Sequence, residues 1–405
     1  MFMLIYFMKT IKIFYILFLN IAILIPQSPI NSLGHGTIID SPDASSLGLS
    51  STGLIPSGNN FFSLHNPTTW TQLDFTYLSV NYNSNFINSE NYKLFNSFLS
   101  GLTFIVPVKN KFGFGLGMRP YSRKDFEIFS KTESINFNNE VFSLNRTYSG
   151  SGGISSFFNS LSYKISKKNT LATQIDFLFG SYNEERVSYV STKQYNFNQT
   201  IRYKSTMLSF FYELKDSFKN RDFSIFSSYN FPIGKKYITH KNDYEFIGEI
   251  NPLNIDFILP SNLRIGLLYN LASSVFISSE FSNIKFSSKN STYSNLFDHE
   301  IKSSNRLNLG IQKMKKTNSR DFLEKIQYRV GFFTMGHYIR LPEYNVNETG
   351  LSFGFGFPFG ISENQIDLGF CISKRNGINE NNEILTKFSI NMLIGDLWLI
   401  KGKRR

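Results

Sequence analysis

The sequence predicts an all-β fold, a transmembrane antiparallel β-barrel of about 14 strands with an N-terminal plug. Three observations predict it. Apolar side chains alternate with small or polar ones in segment after segment, and an apolar run follows two lysines near the N-terminus. A stretch without alternation lies between the apolar run and the first alternating segment. The chain has 405 residues, of which 41% are hydrophobic and 16% aromatic. This length suits one large barrel, and the aromatic content suits strands that face lipid.

The segment LSFGFGFPFG, residues 351–360, shows the alternation most clearly, because its odd positions carry leucine or phenylalanine and its even positions are mostly glycine. Successive side chains of a strand point to opposite faces, so one face would be bulky and apolar and the other nearly bare. A soluble β-sandwich, the alternative fold, would carry charges or threonine on its outer face. The pattern recurs at residues 111–118, 170–180, 306–313 and 365–373.

The same alternation predicts the orientation of each strand. We expect the bulky residues to face lipid and the small ones to face the lumen. The residues on which this expectation is tested are Leu309, Ile311, Phe355 and Phe370 on the lipid side and Gly310, Gly356 and Cys371 on the lumenal side.

The pattern marks one candidate strand too many for an even barrel of about 14, so either one is wrong or two segments form one bent strand. Polar stretches at residues 122–140, 182–200, 232–258 and 287–300 are predicted to be long external loops. The candidate strands are 72–82, 94–108, 111–121, 142–150, 153–166, 170–181, 201–214, 222–231, 261–270, 273–286, 302–313, 324–338, 348–358, 363–374 and 384–397.

Residues 1–34 are predicted to be a signal peptide. Lys9 and Lys12 precede the apolar run IFYILFLNIAILI, which is long enough for a signal-peptide core and too short for a comfortable membrane span. Small residues at Ser32 and Gly34 place the cleavage after Gly34. Export together with a barrel pattern predicts the outer membrane of a Gram-negative-type bacterium.

Residues 35–70 are predicted to be the plug, and residues 71–405 the barrel. The stretch 35–70 is rich in Ser, Gly, Asn and Pro, which is also typical of a disordered leader. It contains too many leucine, isoleucine and phenylalanine residues for a solvated tail, however. In a plug, the polar groups would pair with a polar lumen and the apolar groups would line a path for an apolar ligand.

The charges and the histidines exclude several functions. The net charge is +12, but the Lys and Arg are spread along loops and strand ends, so we expect no nucleic acid as partner. Membrane lipid, including lipopolysaccharide, is the expected contact, and no oligomer is expected. A single Cys excludes an internal disulfide framework and a multi-Cys metal site. The histidines are scattered and catalytic motifs are missing, so we predict no enzyme, no cofactor and no metal.

Arg264 and Arg329 fall on the small or polar face of their strands. Two roles are open for them. They would either bind a carboxylate ligand or pair with lumenal acids such as Asp176 or Asp367.

The segment SSLGLSSTGLIPSGNNFFSLHNPTTW resembles the N-terminal hatch of the FadL/TodX-type outer-membrane transporters, with Asn66 and Pro67 at the family's motif and Thr68 where the family usually has Ala. LPSNLRIGLLYNL is similar to a strand of that family. The end, GDLWLIKGKRR, is similar to the terminus of its Bacteroidetes-type branch, with Leu399 in place of Phe. PorV-type barrels of a secretion system belong to the same fold group.

This resemblance implies passive uptake of hydrophobic small molecules such as long-chain fatty acids. The ligand would shift the hatch and leave sideways through a gap in the barrel wall. The alternative is a PorV-like barrel that binds partners in a protein secretion system. Uptake needs an apolar path behind the hatch, and partner binding needs long ordered external loops. The resemblance implies hatch and gating roles for Asn60, Phe61, Phe62, Asn66 and Pro67.

Asn66 and Pro67 are expected to hold the plug where it joins the first strand. Proline biases the residue before it toward an extended conformation, so Asn66 should be extended. Its amide can bond a backbone donor and a backbone acceptor at once. An ordinary strand-entry turn is the alternative.

Overall fold

The computed structural model describes residues 29–396 with short gaps. The predicted signal peptide therefore lies outside the described residues except for residues 29–34. Among the residues described, no helix is long and apolar enough to cross a membrane. The gaps are residues 40–42, 58–60, 90–92, 109–110, 131, 138–139, 245–247, 256–258, 273, 287–299, 317–318, 320, 342–343, 361–363 and 379–380.

Long antiparallel strands form a closed ring, in which the last strand pairs with the first from Asp396↔Thr76 to Ile384↔Asn88. The ring contains 14 strands, so the predicted antiparallel barrel and its strand number are confirmed. They are β2 Thr76–Asn88, β3 Lys93–Val108, β4 Phe112–Arg123, β7 Glu140–Lys164, β8 Asn169–Val190, β9 Lys193–Phe218, β10 Arg221–Tyr244, β12 Ser261–Ala272, β13 Val275–Lys285, β15 Ser304–Lys313, β16 Gln327–Arg340, β17 Asn345–Phe359, β18 Asn364–Ile378 and β19 Asn381–Asp396.

Short elements connect or flank these strands. The short strands are β1 Thr37–Ile38, β5 Phe126–Phe129, β6 Glu133–Phe137, β11 Gly248–Ile255 and β14 Glu300–Ile301. The helices are α1 Ala44–Gly48 and α2 Phe322–Lys325, and 3-10 turns cover Pro29–Ser32 and Pro67–Gln72.

The surplus candidate strand arises from β7. Segments 142–150 and 153–166 are one continuous strand that pairs with β8 without a register shift. Gly152 lies between the two segments with a φ of 113°. This glycine and its neighbour Gly153 interrupt the alternation of side chains, which is why the sequence shows two segments.

The two ends of the barrel differ. Turns at one end are short, such as residues 219–220 between β9 and β10, and this end is periplasmic by the rule for outer-membrane barrels. Strands β7 to β10 have 25, 22, 26 and 24 residues, whereas about 10 span the membrane. Their remaining length forms an external sheet that continues through β5 and β6 on one side and β11 on the other.

Three of the four predicted external loops are therefore wrong, because they contain strands. Residues 182–200 are the paired ends of β8 and β9, and residues 232–258 contain the end of β10 and β11. Residues 122–140 hold β5 and β6, and most of 287–300 lies outside the described residues. These strands lack the apolar alternation because neither face of the external sheet meets lipid.

The predicted orientation of the strands is confirmed. Leu309, Ile311 and Phe370 are 45%, 53% and 39% exposed on the outer surface, whereas Cys371 is 2% exposed. Phe355 also points outward, but it is half-buried because it packs against Tyr328 at a ring distance of 6.0 Å.

Glycine lines the inner face because another part of the chain approaches it closely. We call residues 29–75 the lumenal segment. A Cβ on Gly354 would lie 2.8 Å from the Cα of Gly48, and one on Gly310 would lie 2.9 Å from the side chain of Leu49. A Cβ on Gly369 would likewise meet the backbone of α1. No larger residue fits between this segment and the wall, which explains the bare face of the strands.

We expect Gly354→Ala to loosen the lumenal segment, because the new methyl group would collide with backbone at Gly48. Overpacking of this kind costs about 1–3 kcal/mol. Backbone amide hydrogen exchange of residues 44–57 should become faster by the factor that corresponds to this free-energy cost. The matched control is Gly336→Ala on the adjacent strand, where the new Cβ would have its nearest neighbour at 3.6 Å. Equal exchange in both variants would contradict this account of the glycines.

Candidate functional site

The lumenal segment runs from the external mouth of the barrel to its periplasmic end. Near its start, Ile30 packs on Val346 and Ile378, at the external ends of β17 and β18. Leu33 packs against Tyr338 at the external end of β16. These two anchors precede the predicted cleavage after Gly34, and the cleavage position stays a prediction.

Wall side chains hold the middle of the segment by its backbone. The carboxylate of Glu280 on β13 accepts hydrogen bonds from the N–H groups of Gly53 at 3.0 Å and Leu54 at 2.8 Å. Glu280 is 2% exposed. A buried carboxylate with two N–H donors is a strong anchor, since charge-assisted hydrogen bonds exceed neutral ones.

Strands β15 and β17 add two further anchors at the end of α1. Arg306 donates to the carbonyl of Ser50 at 2.7 Å. Ser352 donates to the carbonyl of Gly48 at 3.0 Å and accepts from the N–H of Ser50 at 2.8 Å. Ser50 has a φ of 62°, which is unusual for a residue with a side chain. The wall therefore fixes the backbone where α1 turns back.

Arg329 forms a buried ion pair with Asp367 at 2.9 Å, so it pairs with a lumenal acid, one of its two predicted roles. Its Nε donates to the carbonyl of Ser57 at 2.8 Å, and it also donates to Gln327. The side chain is 1% exposed. Arg329 thus links wall and lumenal segment, and its donors are directed to protein groups.

A chain of polar contacts joins α1 to the opposite wall. Asp43 caps α1 through the N–H of Ser46 at 3.0 Å and contacts Nε2 of His65 at 2.8 Å. Arg119 on β4 donates to Nδ1 of His65 at 2.9 Å and lies 3.4 Å from Asp176 on β8. Since arginine only donates, Nδ1 of His65 accepts, and the proton of a neutral ring sits on Nε2.

Asn66 has the predicted extended conformation, with φ −118° and ψ 98°. Its Nδ2 donates to the carbonyl of Leu54 at 2.8 Å, and its Oδ1 accepts from the N–H of Thr68 at 3.3 Å. The expected double hydrogen bonding is confirmed. Pro67 begins the 3-10 turn that leads to the first barrel strand at Thr76.

The predicted gating phenylalanines lie near this turn. Phe62 is buried and packs on Tyr77 with a ring distance of 5.0 Å. Phe61 is half-buried and meets Phe276 edge to face at 4.8 Å. Asn60 lies outside the described residues.

The wall of the barrel is split between β3 and β4. Their pairing ends at Leu102↔Met118, although β3 continues to Lys93 and β4 to Arg123. Each strand is irregular at this point. The register of β3 against β2 shifts at Ser100, and that of β4 against β7 shifts after Pro120. Bulges bend a strand away from its partner, and a proline cannot donate to a ladder, so the strands part here.

Strand β1 of the lumenal segment occupies part of this wall opening. Thr37 pairs with Arg123 and Ile38 pairs with Ser122, on the side of β4 that β3 has left. The N–H of Ile39 donates to the carbonyl of Tyr121 at 3.0 Å. The opening therefore faces the external half of the membrane and is partly filled by the protein's own N-terminal strand.

Among the described residues, three cavities lie against the lumenal segment. The inner cavity, about 100 Å³, contains Arg264 together with His65, Arg119 and Asp176, so the sequence correctly places Arg264 in the lumen. The mouth cavity, about 120 Å³, lies under the external mouth. The wall cavity, about 60 Å³, lies beside the opening. Its apolar lining residues are Ile39, Ile87, Leu94, Phe95, Phe98 and Leu385.

The BamG family model matches residues 14–404 of the sequence. The chain belongs to the BamG family. A comparison with curated proteins gives no match. Membership and fold together place the barrel in the outer membrane of a Gram-negative-type bacterium, as the sequence predicts.

Solved structures of similar fold are FadL/TodX-type channels. The CymD monoaromatic hydrocarbon channel is 13% identical with a TM-score of 0.59, and a Pseudomonas aeruginosa FadL homologue is 11% identical with a TM-score of 0.58. Each alignment covers 88% of this chain and 98% of the other. The Ralstonia pickettii toluene transporter TbuX is 12% identical with a TM-score of 0.51, over 92% of this chain and 99% of that one. At sequence identities of 11–13%, the structural similarity shows the fold of this BamG-family barrel.

The sequence analysis did not identify the anchors Glu280 and Arg306, and it did not predict the position of the wall opening. Glu280 and Arg306 look like any polar residue on an inward face, and nothing in the sequence pairs them with residues 50–54. Pro120 inside a strand was the one available signal of the opening, because proline in a sheet marks an edge or a bulge.

We expect Glu280→Ala to release residues 50–57 from the wall. Two buried N–H groups would lose their acceptor, at about 1–3 kcal/mol each. The conductance of the protein in a planar bilayer should rise and fluctuate, because the segment no longer stays in place. The control is Glu324→Ala on an exposed periplasmic turn, which should conduct like the parent. A Glu280→Ala channel whose conductance neither rises nor fluctuates would refute this anchoring role.

Proposed function

We propose that this barrel is a channel for hydrophobic small molecules, which cross between the lumen and the external leaflet through the wall opening. The observation that carries the proposal is the split between β3 and β4, with a cavity directly behind it whose lining includes six aliphatic and aromatic side chains. A lateral passage suits apolar solutes, because they enter the lipid core without crossing water. The hydrocarbon channels of similar fold support this class of ligand.

We further propose that the lumenal segment acts as the hatch. Asn66 and Pro67 would hold its base, and Asn60, Phe61 and Phe62 would move with it. The contacts of Glu280, Arg306, Arg329 and Ser352 with the lumenal segment support one docked state. Most of these contacts are hydrogen bonds, so water can replace the wall side chains as hydrogen-bond partners in a second, undocked state. Strand β1 would then be the part of the hatch that opens the wall.

The proposal predicts that a disulfide between Thr37→Cys and Arg123→Cys, in a Cys371→Ser background, will block transport. These two positions are paired in register, so a bridge would fix β1 in the wall opening. Uptake of a radiolabelled neutral arene by intact cells should fall to the level of cells without the protein. Reduction of the bridge should restore it.

The matched control is a bridge between Ser134→Cys and Ser143→Cys, a registered pair in the external sheet. It should leave uptake unchanged in both redox states. Full uptake by the oxidised Thr37–Arg123 variant would exclude passage through this opening.

A second function, binding of partner proteins in a secretion machine, has its own supporting observation. The external sheet formed by β5 to β11 is a long, ordered structure beyond the membrane, and a small-molecule channel does not need it. Its outer edge strands β6 and β11 each pair on one side only, among the pairings described. Such edges can add a strand from another protein.

This second function predicts that shortening the sheet removes a partner. In the shortened variant, residues 186–197 are deleted. Glu185 and Asn198, which are paired in the register of β8 and β9, are joined by an Asn-Gly turn. Proteins recovered with the parent from native membranes should be lost. A variant in which only the tip, Ser191 and Thr192, becomes Asn-Gly should keep them. If the parent itself recovers no partner, this function is excluded.

A further inference from the structure

The first described residues of the chain, 29–36, pack tightly against the external rim of the barrel, and we call them the N-terminal clasp. Ile30 is 1% exposed and packs on β17 and β18. Leu33 is 2% exposed and packs on Tyr338 of β16. Burial of such apolar side chains stabilises a fold, and their removal would leave the apolar sites on the rim uncovered. The predicted cleavage after Gly34 would nevertheless remove both of them.

The backbone of the clasp is held on both sides of the peptide bond that this cleavage would cut. The N–H of Gly36 donates to the carbonyl of Leu33 at 2.9 Å, so a turn closes across the bond. The N–H of His35 donates to the hydroxyl of Tyr338 at 3.1 Å, and that hydroxyl donates to the carbonyl of Gly36. The bond after Gly34 therefore lies inside an ordered turn that is fixed to the barrel wall.

The two small residues that predict the cleavage also have a structural reason in the clasp. Gly34 has a φ of 53°, in the left-handed region that favours glycine, and a Cβ there would lie 3.0 Å from the side chain of Ile339. Ser32 is buried in the 3-10 turn Pro29–Ser32. Small residues at these positions are also what a signal-peptide cleavage site requires. The sequence pattern thus fits both explanations, and the packing of the clasp favours the structural one.

The clasp is tied to β1, the strand that occupies part of the wall opening. Oγ1 of Thr37 in β1 donates to Oδ1 of Asn31 at 2.6 Å, and Nδ2 of Asn31 donates to the carbonyl of Asp125 at 3.4 Å. Among the described pairings, β1 has two residue pairs with β4, and so short a ladder is marginal by itself. The clasp therefore adds an anchor on the external side of β1.

We propose that signal peptidase cuts the chain before Pro29, so that the mature protein keeps the clasp, and that the clasp holds β1 in the wall opening. The reaction is hydrolysis of one peptide bond, in which water is consumed, the leader gains a carboxylate and the mature chain gains an α-ammonium group. A cut after Gly34 would place that ammonium on His35, which meets Tyr338 at an apolar cluster where a charge is unfavourable. The proposal does not depend on the channel function, because it concerns the chain without a ligand.

The first test is mass spectrometry of the mature protein, purified with protease inhibitors from the outer membrane of its own host. Its N-terminal peptide should begin at or before Pro29 and contain residues 29–34 intact. A mature chain that begins at any residue after Pro29, such as His35, would overturn the proposal. This measurement needs no substitution, so its outcome does not depend on whether a variant folds.

The second test measures backbone amide hydrogen exchange at Ile39, whose N–H donates to the carbonyl of Tyr121 at 3.0 Å when β1 is in place. Leu33→Asp puts a charge into the apolar cluster, so exchange at Ile39 should become about tenfold faster. The control is Leu323→Asp on the exposed turn α2 at the periplasmic end, which should exchange like the parent. Heat-modifiable gel migration checks that each variant folds.

Asn31→Ala is a milder variant that decides the question if Leu33→Asp does not fold. It removes the acceptor of Thr37 and keeps both apolar anchors, so exchange at Ile39 should become about fivefold faster. Exchange at Ile39 that is equal in the parent and in the folded clasp variants would overturn the proposed role of the clasp, even if the mature chain retains residues 29–34.

Discussion

The close approach of the lumenal segment to the barrel wall constrains most other features of this structure. Backbone of the segment lies against backbone of the wall at Gly48 and Gly354, so no side chain fits between them. Glycine on the inner face follows from this contact, and glycine weakens a strand. The barrel tolerates this because every ring strand is paired on both sides and because bulky residues cover the outer face.

The contact also determines where buried polar groups can lie. A segment with little regular structure brings unpaired N–H and C=O groups into the lumen, and each needs a partner. Glu280, Arg306, Ser352 and Arg329 supply these partners from four strands of one side of the barrel. His65 and Arg119 connect the other side. The polar face of the strands is thus complementary to one specific backbone path.

The split in the barrel wall involves the same lumenal segment. Bulges at Ser100 and near Pro120 separate β3 from β4, and the freed edge of β4 pairs with β1. The lumenal segment therefore contacts the inner face of the barrel and also adds a strand, β1, to its wall. A change that releases the segment would affect the lumen and the opening together, which couples the hatch to the lateral passage in the function proposed here.

The sequence by itself determined the barrel and the direction of its faces, because alternation along a strand such as residues 351–360 is a local property with a period of two residues. The alternation marked one strand too many, because β7 is interrupted at Gly152, and the chain length predicted the number of about 14. It also determined the conformation of Asn66, since the following proline acts on its neighbour. The partners of Arg306 and Glu280, the length of β7 to β10 and the wall opening were decided only by the tertiary structure. These features depend on contacts between residues up to about 300 positions apart, such as Ser50 and Ser352, and no local pattern encodes which strands such a segment will meet.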